Sequence, residues 1–521
     1  MTEQTQFDVI VVGAGSAGAV VASRLTESGA LDVALVEAGP DFRAADAPAE
    51  MQKGHWTGIL DLDRFPQFQW TSLSARRSSG REMAPYVRGR GVGGSSSVNG
   101  QAAIRPPLAD FDRWVTRGAL GWSPGEVLAS FNRLEDDLDL GTLPYHGDAG
   151  PIPIARGPLE DWGALDVAFR DAAMAIGSPW TPDANEPAAT GVSVFPFNAR
   201  EGFRIGTNEG YLEPARGRRN LTVLGDALVD RILIRGGRAV GVRARVGNEW
   251  RSLWSDEVVV SAGAVHTPGV LQRSGIGPAD HLAGLGIEVI SDLPVGATFQ
   301  EHPSVVFTFR VDENLRPGSN GRHTNAVVRF SSGEPGAPDD DMMAITYEPS
   351  PAIPGLASLG TWVNRTNGRG SVAIRSVDPE RDPHIEMRLG EDPLDRGRLR
   401  RAIAWAAEML GHPAFRALRR SEPVGLDGTP LAELVRAPAS EVDAWILSSV
   451  DGSAHASSTC PLGSPESGAV VDPRGRVHGV DGLRVVDLSV TPEVPRANTN
   501  LTAIMIGEHL ASMLATDLLD S

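Results

Sequence analysis

Residues 7–39 read FDVIVVGAGSAGAVVASRLTESGALDVALVEAG, and this stretch decides the fold. Val9 to Val12 is a short uninterrupted apolar run, the pattern of a strand buried on both faces. Gly13, Gly15 and Gly18 follow at G-x-G-x-x-G spacing. The first glycine permits a tight turn, the second lets backbone approach a pyrophosphate, and the third lets a helix pack closely on the strand. Ala19 to Leu25 is helix-forming, and the amino end of such a helix directs free N–H groups and a positive dipole at phosphates. Val33 to Val36 reads as a second strand, and Glu37 ends it, placed to accept hydrogen bonds from the two hydroxyls of a ribose. Glycine turns also arise for packing alone, but here strand, turn, helix, second strand and acid agree. The stretch predicts a dinucleotide site in a Rossmann-like α/β domain. The acid disfavours a 2′-phosphate, which leaves NAD or FAD.

At 521 residues the chain exceeds one small core, so two domains are expected. Hydrophobic residues at 41% with charged residues at 22% describe an ordinary globular protein. The net charge of −18 argues against a nucleic-acid partner, because an acidic surface repels a phosphate backbone. Cys460 is the only cysteine, which excludes an intrachain disulfide and a cysteine-based metal cluster, and no metal site is expected. The apolar run Val9 to Val21 lacks the basic start of a signal peptide and belongs to the nucleotide fold. No other run approaches the ~18 apolar residues of a membrane span, so a cytoplasmic protein is expected.

Residues 40–84 read as loop, with Trp56 and Trp70 as packing or cofactor-covering aromatics. Arg88 to Gly100, RGRGVGGSSSVNG, places five glycines in thirteen residues and adds the hydroxyls of Ser95, Ser96 and Ser97. Such a run is either a flexible linker or a second place where backbone closes on a phosphate or ring. Interrupting arginines and valines favour the second.

Gly89 to Asp112, GRGVGGSSSVNGQAAIRPPLADFD, resembles the first signature of the glucose–methanol–choline (GMC) oxidoreductases. Gly263 to Gly277, GAVHTPGVLQRSGIG, resembles their second. The amino-terminal DVIVVGAGSAGAVVASRLTE and the carboxyl-terminal VHGVDGLRVVDLSVTPEVPRANTNLTAIMIGEHLA are similar to the same family, in the same order, across residues 8–511. The resemblance implies FAD rather than NAD, a small alcohol as substrate, and an electron acceptor that the residues leave open. It implies cofactor contacts at Gly13, Gly15, Ser16, Gly18, Glu37 and Ala38, then at Arg90, Gly94, Ser95, Asn99, Gly100, Gln101 and Ala102. Val229, Asp487 and Asn500 complete that set. Where the histidyl-linked relatives attach their flavin, this chain carries Val98, so FAD is expected without a covalent bond.

The FAD domain is expected over residues 1–155, 205–302 and 447–521, and the substrate domain over 156–204 and 303–446. Asp148 to Ser193 reads as less regular sequence. Runs at Val305 to Val311, Ala326 to Phe330, Met342 to Tyr347 and Gly370 to Arg375 predict an antiparallel sheet. Apolar residues at helical spacing predict a backing helix over Arg396 to Leu410. The second signature reads as a turn, a helix over Pro268 to Arg273, and a glycine stop. The fold class is α/β: a Rossmann-like FAD domain with a second α+β substrate domain on an antiparallel sheet.

Chemistry falls to His455 in SAHASSTCPLG and Asn500 in NTNLT. Hydride departs from an alcohol carbon only as the hydroxyl proton leaves, so a base must sit at that oxygen. Histidine has the pKa for it, and a neighbouring amide can hold the oxygen in line. A histidine in a serine-rich loop is also an ordinary packing residue, and helix capping would explain Asn500. The resemblance implies the catalytic roles, and spacing to Glu508 puts the amide at Asn500 rather than Asn498. His266, His302, His478 and His509 read as structural. The family's HPVGTCRMG is here HASSTCPLG, with Ala456 and Ser458 replacing Pro and Gly; Ala454, where choline-oxidising relatives carry tyrosine, counts against choline. The predicted activity is FAD-dependent oxidation of an alcohol to an aldehyde or ketone. A lyase on the same fold, or a non-catalytic flavin-binding protein, are the alternatives.

Overall fold

The computed structural model describes residues 6–53, 64–315, 318–350 and 353–519. Trp56 lies outside the described residues. Strand β1 (Gln6–Val12), helix α1 (Gly18–Leu25) and strand β2 (Val33–Val36) form as the apolar pattern predicts. Val9, Ile10, Val11 and all four residues of β2 are buried. Leu221–Leu224, β2, β1 and Glu249–Val260 lie side by side and parallel. Leu483–Val485 joins them, pairing with Val258, Val259 and Val260. The amino-terminal half of Glu249–Val260 instead turns outward into an antiparallel extension with Arg238–Val246 and Ala227–Arg235.

The last helix, Thr499–Leu519, packs along α1 and locks onto it at successive points. A Cβ on Gly507 would lie 2.9 Å from the Ala17 carbonyl oxygen, so the helices touch through backbone there. Further along, Arg24 Nη2 meets the buried Glu508 carboxylate at 2.6 Å, and Tyr211 donates its hydroxyl to the same group. Burial lowers the Arg24 pKa, but the Glu508 carboxylate outweighs it and holds the guanidinium charged. Among the described residues no helix is long and apolar enough to cross a membrane.

A second sheet is antiparallel throughout, in the order Val424–Gly425, Pro303–Arg310, Leu356–Val363, Met342–Tyr347, Ala326–Phe330, Gly191–Val194. Its faces alternate with period two. Ala326, Val328, Met342 and Ala344 enter a core backed by helices Ala164–Ala175 and Pro393–Gly411. Val327, Met343 and Ile345 face the other way, with Phe195 and Phe197. That second face closes over the carboxyl ends of the parallel strands.

Three local expectations change. Gly370 to Arg375 does not join this sheet: only Ser371–Ala373 is strand, paired with His384–Glu386 in a separate small sheet, and the Gly370 and Val372 N–H groups donate to the Phe299 and Gly296 carbonyls. The helix of the second signature begins at Gly263, five residues before Pro268, because the Asp487 carboxylate accepts from Gly263 N–H and the Thr267 hydroxyl at its start. Helix Ala164–Ala175 lies inside the stretch read as irregular.

Candidate active site

A cavity of about 580 Å³ lies between the two sheets, with the glycine turn at one end. Each glycine of that turn has its own steric reason. Gly13 adopts φ +96°, and a Cβ there would strike the Ser261 carbonyl at 2.6 Å. A Cβ on Gly18 would fall 1.9 Å from the Gly13 oxygen, so helix and turn meet through bare backbone. At Gly15 the nearest atom to such a Cβ is Gly94 Cα at 4.0 Å, so its open side faces the cavity. Glu37 lies beside the turn, buried, with Oε2 accepting from Ala14 N–H at 2.8 Å and Oε1 from Gly39 and Gly91 N–H at 2.9 Å each. Burial pushes its carboxyl up against the opposing effect of those donors. Oε2 makes one such bond and keeps a lone pair for a ligand hydroxyl.

Gly13, Gly15, Ser16, Glu37 and Ala38 line the cavity at this end, and Gly94, Ser95, Asn99, Gly100 and Ala102 line its middle. Val229, Asp487 and Asn500 also reach it. Gly18, Arg90 and Gln101 do not: Arg90 donates to the Ala38 carbonyl beneath the wall, and Gln101 is buried with φ +60°. An open glycine cradle, a helix amino end and an acid with remaining acceptor capacity fit the two phosphates and ribose of a flavin dinucleotide. Trp70 lines the cavity and stacks on His266 with ring centroids 4.2 Å apart.

At the other end lies His455, in a loop held by a buried carboxylate. Glu301 Oε1 accepts Ser453 N–H at 3.2 Å and His455 N–H at 2.8 Å, while Oε2 accepts the Tyr86 hydroxyl at 2.7 Å. Ser458, where the family often carries glycine, keeps φ +65°. That left-handed backbone costs a side-chain-bearing residue roughly 1–2 kcal/mol. The Ser458 hydroxyl finds Thr491 Oγ1 at 2.9 Å, so the loop geometry survives the substitution.

Nε2 of His455 lies 3.2 Å from Nδ2 of Asn498, and its Nδ1 lies 2.8 Å from Nδ1 of His302. Burial drives the His455 pKa well below its usual 6.5, and His302 and the Arg88 guanidinium push the same way. Asn500 is not the partner. Its Oδ1 accepts from the Ser16 hydroxyl at 2.8 Å, tying the last helix to the glycine turn. Asn498 lies just before the first turn of the last helix and Asn500 within it, and their side chains bond different partners. Spacing to Glu508 sets the register of the helix but not where it begins.

Phe195, His323, Ile345 and Tyr347 also wall the cavity. The His323 and Tyr347 rings stack with centroids 6.0 Å apart and planes 16° from parallel. Sequence reasoning missed these four, and it did not foresee the contact of His302 with His455. The alternation of Met343, Ile345 and Tyr347 on one strand was the available signal for the wall.

The GMC oxidoreductase family model matches residues 7–304, and a second GMC oxidoreductase model matches residues 366–507. The chain is 36% identical to 5-(hydroxymethyl)furfural oxidase of Methylovorus sp. (strain MP688), over 98% of this chain and 99% of that protein. It is 34% identical to oxygen-dependent choline dehydrogenase of Pectobacterium carotovorum subsp. carotovorum (strain PC1), over 98% and 94% of the two chains. The crystal structure of pyridoxine 4-oxidase from Mesorbium loti superposes with a TM-score of 0.88 at 27% identity, covering 97% of this chain and 98% of that one.

Proposed function

This chain belongs to the GMC oxidoreductase family, and from that premise we propose that it oxidises a primary alcohol carried on a planar aromatic ring, with His455 as base. It is an FAD-dependent oxidoreductase acting on CH–OH groups. When bound, FAD supplies the two-electron hydride acceptor for that oxidation. The glycine turn and Ser16 would hold its pyrophosphate and Glu37 its ribose, with Asp487 bracing the helix Gly263–Arg273 beside it. The attachment position is Val98, which offers no nucleophile, and burial pushes the Cys460 thiol up; we therefore propose that FAD is held without a covalent bond.

The observation that carries the base assignment is the 3.2 Å contact between His455 Nε2 and the Asn498 amide, inside the cavity that begins at the glycine turn. Nε2 accepts the hydroxyl proton, and the amide keeps the alcohol oxygen in line with it. With its pKa far below 6.5, His455 is neutral at neutral pH and ready to accept.

The ring-bearing substrate is supported by the walls. Phe195, Tyr347 and His323 offer flat faces, and the relatives named for hydroxymethylfurfural and pyridoxine act on ring-borne alcohols. A quaternary ammonium finds less. Arg88 acts on His455 with the wrong sign for a cation, and the Glu301 carboxylate is engaged by backbone N–H groups and Tyr86. We take oxygen as the electron acceptor, since these relatives are named as oxidases or oxygen-dependent.

The test mixes holoenzyme anaerobically with benzylic, furanic, pyridinic and aliphatic alcohols and with choline, follows the flavin band, then admits oxygen. Fast bleaching by the ring-borne alcohols and recovery in oxygen are expected. Bleaching by choline alone would overturn the substrate class, and no bleaching by any alcohol would overturn the function.

A further inference from the structure

We propose that His302 is a positioning residue for the base: it fixes which nitrogen of His455 carries the proton, and it shares the charge that His455 gains. This rests on the reading of His455 as base.

The two rings meet Nδ1 to Nδ1 at 2.8 Å, with planes 80° apart, and both side chains are buried. A short contact between two ring nitrogens holds one proton, not two and not none. The Asn498 amide donates toward Nε2 of His455, which requires a lone pair there. The proton of His455 therefore sits on Nδ1 and is donated to His302. His302 in turn carries its proton on Nε2, on the side where the carbonyls of Asn364 and Pro495 favour one, although neither closes a full hydrogen bond. Burial pushes His302 down to about 3, so it stays neutral and remains an acceptor.

This is the tautomer the reaction needs. The nitrogen facing the cavity carries its lone pair, which accepts from the Asn498 amide until an alcohol hydroxyl donates in its place. When the substrate O–H bond breaks and its proton bonds to Nε2, His455 becomes an imidazolium whose Nδ1–H points at a neutral acceptor. The hydrogen bond strengthens as the charge forms. Should the Nδ1 proton move across, the charge relocates onto His302 with no atom gained or lost. The charged groups around the pair are Arg88, Glu301 and, more distantly, Asp110. Glu301 spends its acceptors on backbone N–H groups and Tyr86, so it does not reach either ring. A neutral imidazole thus stands where other bases are oriented by a carboxylate.

The experiment compares wild type, His302→Leu and His302→Gln as holoenzymes, measuring flavin content, KM and anaerobic flavin reduction across pH with the best alcohol of the panel. His302→Leu removes the acceptor and should slow reduction on the order of 10- to 100-fold with little change in KM. It should also shift the midpoint of the pH profile, since the group that faces Nδ1 of His455 is gone. His302→Gln offers an amide oxygen to Nδ1–H and should recover most of the rate. A wild-type rate and profile in His302→Leu, or equal loss in both variants at full flavin content, would overturn the proposal. If neither variant retains flavin, NMR of wild-type holoenzyme labelled with ¹⁵N-histidine decides. One exchangeable proton coupled to two ring nitrogens supports the proposal, and its absence overturns it. If no alcohol reduces wild-type flavin, the functional reading fails, while the NMR result still tests the histidine pair.

Discussion

The side-chain amide of Asn498 lies 3.2 Å from Nε2 of His455, whereas the side-chain oxygen of Asn500, two residues on, is held by Ser16. The two asparagines therefore answer to different parts of the site. Asn498→Ala should slow flavin reduction by about 1–3 kcal/mol of barrier, the worth of one orienting hydrogen bond. Asn500→Ala should leave reduction nearer wild type and instead weaken flavin retention, by loosening the helix from the glycine turn. Flavin content and single-turnover reduction of both variants check this; a larger rate loss in Asn500→Ala would restore it as the partner.

His455→Ala removes the base and should slow reduction ~10²- to 10⁴-fold with flavin content unchanged. The pH dependence in wild type follows from the direction of the shift. The base works when neutral, and burial first, then His302 and Arg88, hold its pKa well below 6.5. Reduction should therefore stay flat through neutral pH and fall only on the acid side of 6.5, as pH drops through the lowered value. Stopped-flow reduction across pH measures the midpoint, and one above 6.5 would contradict this account of the site.

Gly15→Ala and Gly18→Ala should fail in different ways. The Gly15 Cβ would project toward the cavity with no protein atom closer than 4.0 Å, so the variant should fold but bind flavin weakly. The Gly18 Cβ would fall 1.9 Å from the Gly13 oxygen, which should destabilise the fold itself by about 1–3 kcal/mol. Thermal unfolding together with flavin content separates the two. Equal flavin affinity in Gly15→Ala and wild type would remove the turn from the cofactor site.

What was legible in the sequence was what short stretches specify. The contact of Gly18 with Gly13 and the placing of Glu37 carry their reasons within a few neighbours, a steric clash and a strand end, while the loop of His455 was marked by its resemblance to a family motif. What was not legible comes from afar. His302 meets His455 across 153 residues, and neither local sequence names the other. The aromatic wall depends on which face of the second sheet turns inward. Strand Leu356–Val363, central in that sheet, went unread because its partners, not its own pattern, define it. The choice between Asn498 and Asn500 hung on a helix boundary, which sequence patterns place only to within a residue or two.

The attachment position raises a simple chemical test. Val98 is buried beside Phe65 and Phe68 and presents only methyl groups. Acid precipitation should release all the yellow colour into the supernatant, and flavin retained in a thoroughly unfolded pellet would mean that another side chain had bonded it.

A second buried cluster, away from the cavity, should govern stability. His146 Nδ1 lies 2.8 Å from Glu135 Oε1 and 3.2 Å from Asp137 Oδ2, and its Nε2 lies 2.9 Å from Asp183 Oδ2. Arg156 bridges Asp137 and Asp183 at 2.8 Å each, and Arg105 pairs with Glu135. Glu135, Asp137 and His146 could together hold a metal ion. The arginines make one unnecessary: three carboxylates face two guanidiniums and one imidazolium, so protonated His146 balances the charge. Burial pushes its pKa down, but the bonds to Asp183 and Glu135 outweigh that and raise it above 6.5. A raised folded-state pKa contributes stability fully present below about pH 6.5 and lost as pH rises through the folded value. His146→Ala should then cost roughly 3–5 kcal/mol, the penalty for leaving a buried charge unpaired, and should erase that alkaline loss. Denaturant unfolding of holoenzyme at pH 6 and pH 9, with and without a chelator, makes the measurement. The chelator should change nothing; a chelator-induced drop in the wild type that is absent in His146→Ala would mean that a metal, not the proton, balances these carboxylates.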